Sequence, residues 1–322
     1  MEILSAVFLE KPLWMWLTFI GLVIVLLVLD LGIFHRESRA IGVGESLLLS
    51  GLYIGLGVSF GGWVWWTLGA DAGMNYMTGF AIEKALAMDN VFVIAMIFSF
   101  FSVPQAYQHR VLFWGIVGVI VLRAIMIGLG AALISRFDWV LYVFALFLVI
   151  TGVKMLFLGD REYDVASNPI LRLARRHFNV TDKLYGEKFF VRLPAPGGKL
   201  AWFATPLFLA LALVEFADVI FAVDSVPAIF AITTDPFVVY TSNIFAILGL
   251  RALYFALAAM VHRFHYLKTA LAFVLIFIGG KIVAADMLGI AKIPAVLSLG
   301  VTFSILAAGI FYSLWKTRDA RA

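Results

Sequence analysis

The feature that most restricts this chain is the length of its apolar runs. Blocks of about 18–25 residues, enough to cross the hydrocarbon of a bilayer at about 1.5 Å of helical rise per residue, recur along the whole chain. They fall at 13–34, 45–68, 76–101, 111–135 and 139–158, then at 200–232, 237–261, 267–288 and 293–315. Apolar and polar residues do not alternate within them, which argues against a transmembrane barrel. The expectation is an all-α polytopic membrane protein, one transmembrane domain over 1–322 with about nine helices. Composition agrees: 63% of residues are hydrophobic and only 14% charged, more apolar surface than a soluble core of this size needs. The block 45–68 carries Gly51, Gly55, Gly57, Gly61 and Gly62, which predicts close packing against a neighbouring helix.

Charge then orients the spans. With an odd number of crossings the termini lie on opposite sides, and basic residues in short loops favour the cytoplasm. Arg36 and Arg39, Arg110, Arg263 and Lys268, and the tail Lys316, Arg318 and Arg321 all fall on one side, together with the basic loop 159–199. Lys11, Arg136 and Lys292 fall on the other. This predicts a bacterial inner-membrane protein with its N-terminus outside and its C-terminus and basic loop in the cytoplasm. The positive charge is then a topology signal with affinity for anionic lipid, and no nucleic-acid partner is expected. The acidic start lacks a small-residue cleavage site, so the first apolar block is expected to stay in the protein. There is no Cys, which excludes disulfides, thiolate metal sites and Cys nucleophiles.

An internal repeat runs through the middle. Asp89-Asn90-Val91-Phe92 matches Asp218-Val219-Ile220-Phe221, and Leu122-Arg123-Ala124 matches Leu250-Arg251-Ala252. Arg136-Phe137 matches Arg263-Phe264, and Gly152-Val153-Lys154 matches Gly279-Gly280-Lys281. Repeat unit one spans 76–158 and unit two 200–288. Each holds three helices, so the second is inverted relative to the first, an arrangement that recurs in secondary transporters with the substrate near the midplane.

Ionisable residues inside spans cost at least about 2.5–3.5 kcal/mol each on insertion scales and so demand a reason. The third block holds Glu83, Lys84, Asp89 and Asn90, and the sixth holds Glu215, Asp218, Asp224 and Ser225. Arg123, Arg251, Lys154, Lys281 and Asp30 lie in other spans. Structural ion pairing is one reading. The other is a cation path, because carboxylate, amide and hydroxyl oxygens are ligands for a hard divalent cation. On that reading Glu83, Asp89, Asn90, Glu215, Asp218, Asp224 and Ser225 bind the ion, and Lys84, Arg123 and Arg251 balance charge. Glu83 and Asp89 are about 240° apart on a straight helix, as are Asp218 and Asp224. Either the helices break there or different acids serve different roles, and Pro227 is compatible with a break in the sixth span. No His lies mid-span, which with the lack of Cys argues against Zn²⁺ or Cu⁺.

Glu83 to Phe92, Glu215 to Ile229, Thr233 to Phe237 and Ser242 to Arg251 resemble the signatures of the TerC family over nearly the whole chain, and the span layout resembles its Alx-like branch. The resemblance implies manganese efflux from the cytoplasm of a bacterium and a link to tellurium resistance. Mn²⁺ is then cargo, and no permanently bound cofactor is expected. The expected function is a manganese exporter and not an enzyme. The alternatives are a membrane scaffold acting through the loop 159–199 and an intramembrane aspartyl enzyme. Tellurite as cargo fits poorly with acidic helices. The chain has no Gly-rich Lys-Ser/Thr phosphate loop, so ATP is not its direct energy source. No oligomeric state follows from the sequence.

Overall fold

Helices and closed barrels alone satisfy every backbone polar group in lipid, and this chain takes the helical route. A computed structural model describes residues 6–32, 42–137, 139–157, 168–194, 200–258, 267–287 and 294–316. A short hairpin, β1 (Val7–Phe8) and β2 (Lys11–Pro12), leads into α1 (Leu13–Gly32). Then come α2 (Val43–Leu68), α3 (Ala70–Phe100), α4 (Gln105–Ile134) and α5 (Trp139–Phe157). The basic segment contains α6 (Pro169–His177) and an antiparallel hairpin of β3 (Phe190–Pro194) and β4 (Leu200–Ala204). The chain continues with α7 (Pro206–Phe230), α8 (Pro236–Leu248), α9 (Leu250–Ala258), α10 (Leu267–Met287) and α11 (Ala295–Lys316).

Local chemistry sets the boundaries. Asn168 and Asp235 cap α6 and α8 by accepting from the first amides, with Pro169 and Pro236 next in line. Gly69, at φ 93°, makes the one-residue turn between α2 and α3.

Six helices among the described residues are long and apolar enough to cross a membrane, or seven if the bent pair α8 and α9 counts as one span. The other two expected blocks are α1, shorter over its described stretch, and α3, which carries Glu83, Lys84 and Asp89. Two boundaries differ from expectation. The sixth block does not start at Leu200, because Leu200–Ala204 pairs with β3 and the helix begins at Pro206. Nor does Pro227 break that helix, which runs on to Phe230 with the proline in its last turn. The break lies instead at Gly249, where α8 and α9 meet at 42°.

Ion pairs show which loops share an end of the bundle. Lys11 bonds Asp235 at 2.7 Å, joining the N-terminal hairpin to the α7–α8 turn. At the other end Arg110 pairs with Glu187 at 3.5 Å and stacks on Phe189 of the basic segment. The outer faces are apolar: Ile24 and Val28 of α1, Val121, Ile125 and Leu129 of α4, and Leu146 and Ile150 of α5 are all exposed. Glu83, Asn90, Arg123, Asp218, Asn243 and Arg251 are buried between helices, the polarity expected of a bundle in lipid.

Where helices touch, glycine lets backbones approach. In α2, Gly57 and Gly61 press on Phe80 and Tyr76 of α3, and the Tyr76 hydroxyl donates to the Gly57 carbonyl at 3.0 Å. Gly51, Gly55 and Gly62 of the same helix face open space, so only part of the glycine-rich block serves that contact. The contact between α5 and α10 is tighter. A Cβ on Gly152 would stand 2.7 Å from the Ala272 carbonyl oxygen, and one on Gly279 2.5 Å from that of Ala145. Both obstacles are backbone and cannot swing away. Gly152→Ala or Gly279→Ala should therefore cost about 1–3 kcal/mol of stability, whereas Gly62→Ala should cost none. Thermal unfolding of the purified variants in detergent checks the contrast.

Candidate functional site

At the centre of the bundle lies a guanidinium. Arg123 of α4 is 1% exposed, and four side chains from three other helices converge on it. Its Nη1 pairs with Glu83 Oε1 of α3 at 2.8 Å and donates to Ser225 Oγ of α7 at 2.6 Å and Asn243 Oδ1 of α8 at 3.2 Å. Its Nη2 reaches Asp218 Oδ1 of α7 at 3.5 Å. Asn243 closes the ring by donating from Nδ2 to Glu83 Oε2 at 3.0 Å. Helical periodicity explains why α7 supplies two of the partners. Asp218 and Ser225 are seven residues apart, about two turns, and so share the face that meets α4.

This network has one cation and two carboxylates. Asp218 Oδ2 is buried without a donor among the described residues. Asp218 also lines a small cavity of about 20 Å³ with Asn90, Phe221, Leu250 and Arg251. A turn before Asp218, the carboxyl of Glu215 lies against Gly118 of α4, in the space that a Cβ there would fill, and its Oε2 too is buried without a donor.

The other expected residues lie apart. Asp224 accepts from Thr151 of α5 at 3.3 Å, on a different face of α7 from Asp218. Lys84 donates to the backbone carbonyl of Ala246 at 2.9 Å, and Lys281 to Ser298 Oγ at 3.1 Å. The side chain of Asp89 lies outside the described residues, as does that of Asp30. No group of three or more His, Cys, Asp or Glu able to hold a metal ion occurs among the described residues. Glu83, Asp218 and Ser225 are thus brought together around Arg123, while Asn90 and Arg251 line the adjoining cavity. Asp224 sits elsewhere, and Glu215 lies along the same α7 stripe. Both acid-bearing helices are continuous, so different acids do meet different partners.

Asn243 was not among the expected site residues, although it bridges the two ends of the network. Its signal in the sequence is that it is the one amide of the block 237–261.

Removing the shared cation should be the most damaging single change. Arg123→Met leaves two buried carboxylates facing each other and should cost about 3–5 kcal/mol. Adding Glu83→Gln to that variant should recover at least about 1 kcal/mol of the loss, since contacting residues couple. A double-mutant cycle of thermal stability in detergent measures both numbers.

Comparison with known proteins places the chain among integral membrane proteins. The family described as Integral membrane protein TerC family matches residues 68–321. An uncharacterized membrane protein of Myxococcus xanthus, STKORF319, is 48% identical over 95% of this chain and 93% of its own length. One from Rickettsia bellii is also 48% identical, over 93% of this chain and 96% of its own. A Salmonella typhi protein provisionally named membrane-bound redox modulator Alx is 46% identical over 94% of both chains. No solved structure matches. With the family match covering more than half the chain and these relatives aligned almost end to end, the protein belongs to the TerC family of integral membrane proteins.

Proposed function

We propose that this protein carries a divalent cation across the bacterial inner membrane, with Mn²⁺ as cargo and export from the cytoplasm as its direction. The observation that carries the reading is how its intramembrane cations are used. Lys84 and Lys281 bond neutral oxygens, Glu83 and Asp218 both lean on the guanidinium of Arg123, and carboxylate oxygens of Asp218 and Glu215 are buried without donors among the described residues. Oxygen-rich, net-acidic surroundings suit a hard divalent cation. Arg123 would neutralise Glu83 and Asp218 between cargo ions. A cation taking its place would find carboxylate, amide and hydroxyl oxygens from Glu83, Asp218, Asn243 and Ser225 around it. The choice of manganese and the outward direction rest on the family resemblance of the acidic motifs.

The inverted repeat belongs to the same reading. Gly152 meets the carbonyl of Ala272, and Gly279 meets that of Ala145. Each glycine thus touches the residue seven positions before its counterpart, as a two-fold axis between antiparallel α5 and α10 requires. Around that axis α3 packs on α8 and α9, while α4 packs on α7. Nine spans, an external N-terminus and a cytoplasmic basic segment fit the ends shared by Lys11 with Asp235 and by Arg110 with Glu187. The redox role in the name of the Salmonella relative would reach this protein through metal supply, since a chain without Cys cannot exchange thiols.

The test is manganese content in cells lacking the protein and complemented with wild type, Glu83→Gln, Asp218→Asn or Arg172→Ala at equal membrane levels. Wild type and the loop variant Arg172→Ala should lower cellular manganese, and the two carboxylate variants should not. If all four behave alike, or manganese never changes, the transporter reading fails and a scaffold acting through the basic segment takes its place.

A further inference from the structure

The break between α8 and α9 has an occupant. In an unbroken helix the carbonyl of Ala246 would accept from the amide of Leu250, four residues on. Here α8 stops at Leu248, α9 starts at Leu250, and both halves are buried among other helices. The C-terminal end of a helix carries roughly half a negative charge, and away from water a freed carbonyl must find another donor. It finds the ammonium of Lys84, 2.9 Å away.

Two further features show that this contact is built for a cation. Lys84 makes no ion pair among the described residues, although Glu83 beside it pairs with Arg123 and Asp218, Glu215 and Asp224 are in the same bundle. Gly249 is the residue at the break, and a Cβ there would stand 2.9 Å from Lys84 Nζ and 2.8 Å from Tyr53 Cβ. The glycine therefore both ends α8 and leaves room for the ammonium.

We infer that the C-terminal end of α8 is a second cation position, separate from the carboxylate centre. It fits a small monovalent cation of the ammonium class, and Lys84 is its tethered occupant. Lys84 is a positioning residue. Through Glu83 on Asn243 and Lys84 on Ala246, α3 grips α8 at two points about one turn apart. That grip fixes the break and, just past it, Arg251, which lines the cavity shared with Asn90 and Asp218. In discontinuous transporter helices such half-helix ends hold free coupling ions; here the charge comes from the protein. The inference stands independently of which cargo is carried.

The experiment is chemical rescue. Lys84→Ala, Lys84→Met and Lys84→Arg are purified into lipid nanodiscs and unfolded thermally with ammonium, methylammonium or tetramethylammonium chloride at equal ionic strength. Lys84→Ala and Lys84→Met should unfold well below wild type. Ammonium or methylammonium should restore at least half of the Lys84→Ala loss and leave wild type unmoved, while tetramethylammonium, too large for the position, should restore none. Lys84→Met keeps the apolar stem without the charge, and Lys84→Arg keeps the charge, so the arginine variant should lose less. A Lys84→Met protein as stable as wild type, equal losses for Met and Arg, or a Lys84→Ala loss that no small amine recovers would each overturn the inference.

Discussion

The polar centre of this bundle is arranged around the burial of the Arg123 guanidinium. An arginine in the middle of a membrane helix is costly when isolated, and it is tolerated only when its charge and donors are matched inside the protein. Arg123 is matched by Glu83, Asp218, Ser225 and Asn243, which come from α3, α7 and α8. No single helix supplies the set. The network therefore forms only when four helices stand in one register, and a slip of any of them leaves an unmatched charge. Apolar packing cannot supply that discrimination, because lipid tails are as apolar as the faces they would replace.

The glycines set distances that the polar network then exploits. Gly118 gives Glu215 a place against α4, Gly249 admits Lys84 at the end of α8, and Gly152 and Gly279 bring α5 and α10 into backbone contact. Long polar side chains reach across short gaps only when backbones are close, so small residues and buried charge are two parts of one design. The exposed faces of α1, α4 and α5 need no such matching and carry interchangeable Leu, Ile and Val.

Much of this was legible in the sequence, and the misses have a common cause. Block length located every long helix, since a 3.6-residue helix of fixed rise must fill a slab of fixed thickness. The acids and Arg123 stood out because a charge in an apolar block is rare. Partners across helices carry no local signal, so neither the bridge made by Asn243 nor the contact of Lys84 with the Ala246 carbonyl can be read from residue spacing. The break at Gly249 was hidden because a lone glycine in Ile247-Leu248-Gly249-Leu250 is ordinary in a membrane helix. Pro227 drew attention as the stronger breaker, yet a proline in a last turn leaves few hydrogen bonds downstream to disturb. The start at Leu200 failed for a different reason, because a five-residue apolar strand cannot be told from helix by hydropathy alone.

The contrast between arginine and lysine in this protein follows from their shapes. A guanidinium presents five donors in a fixed fork and can hold several acceptors from different directions, whereas an ammonium is a compact charge on a flexible stem. Arg123 accordingly gathers two carboxylates, an amide and a hydroxyl, and Lys84 and Lys281 each meet one neutral oxygen. The consequence concerns the order of events on the proposed transport reading. A cation approaching Glu83 and Asp218 competes with a single many-armed partner, and must break several bonds of Arg123 together. Lys84 takes no part in that exchange, so it can hold the broken helix steady while the charge at the centre changes hands.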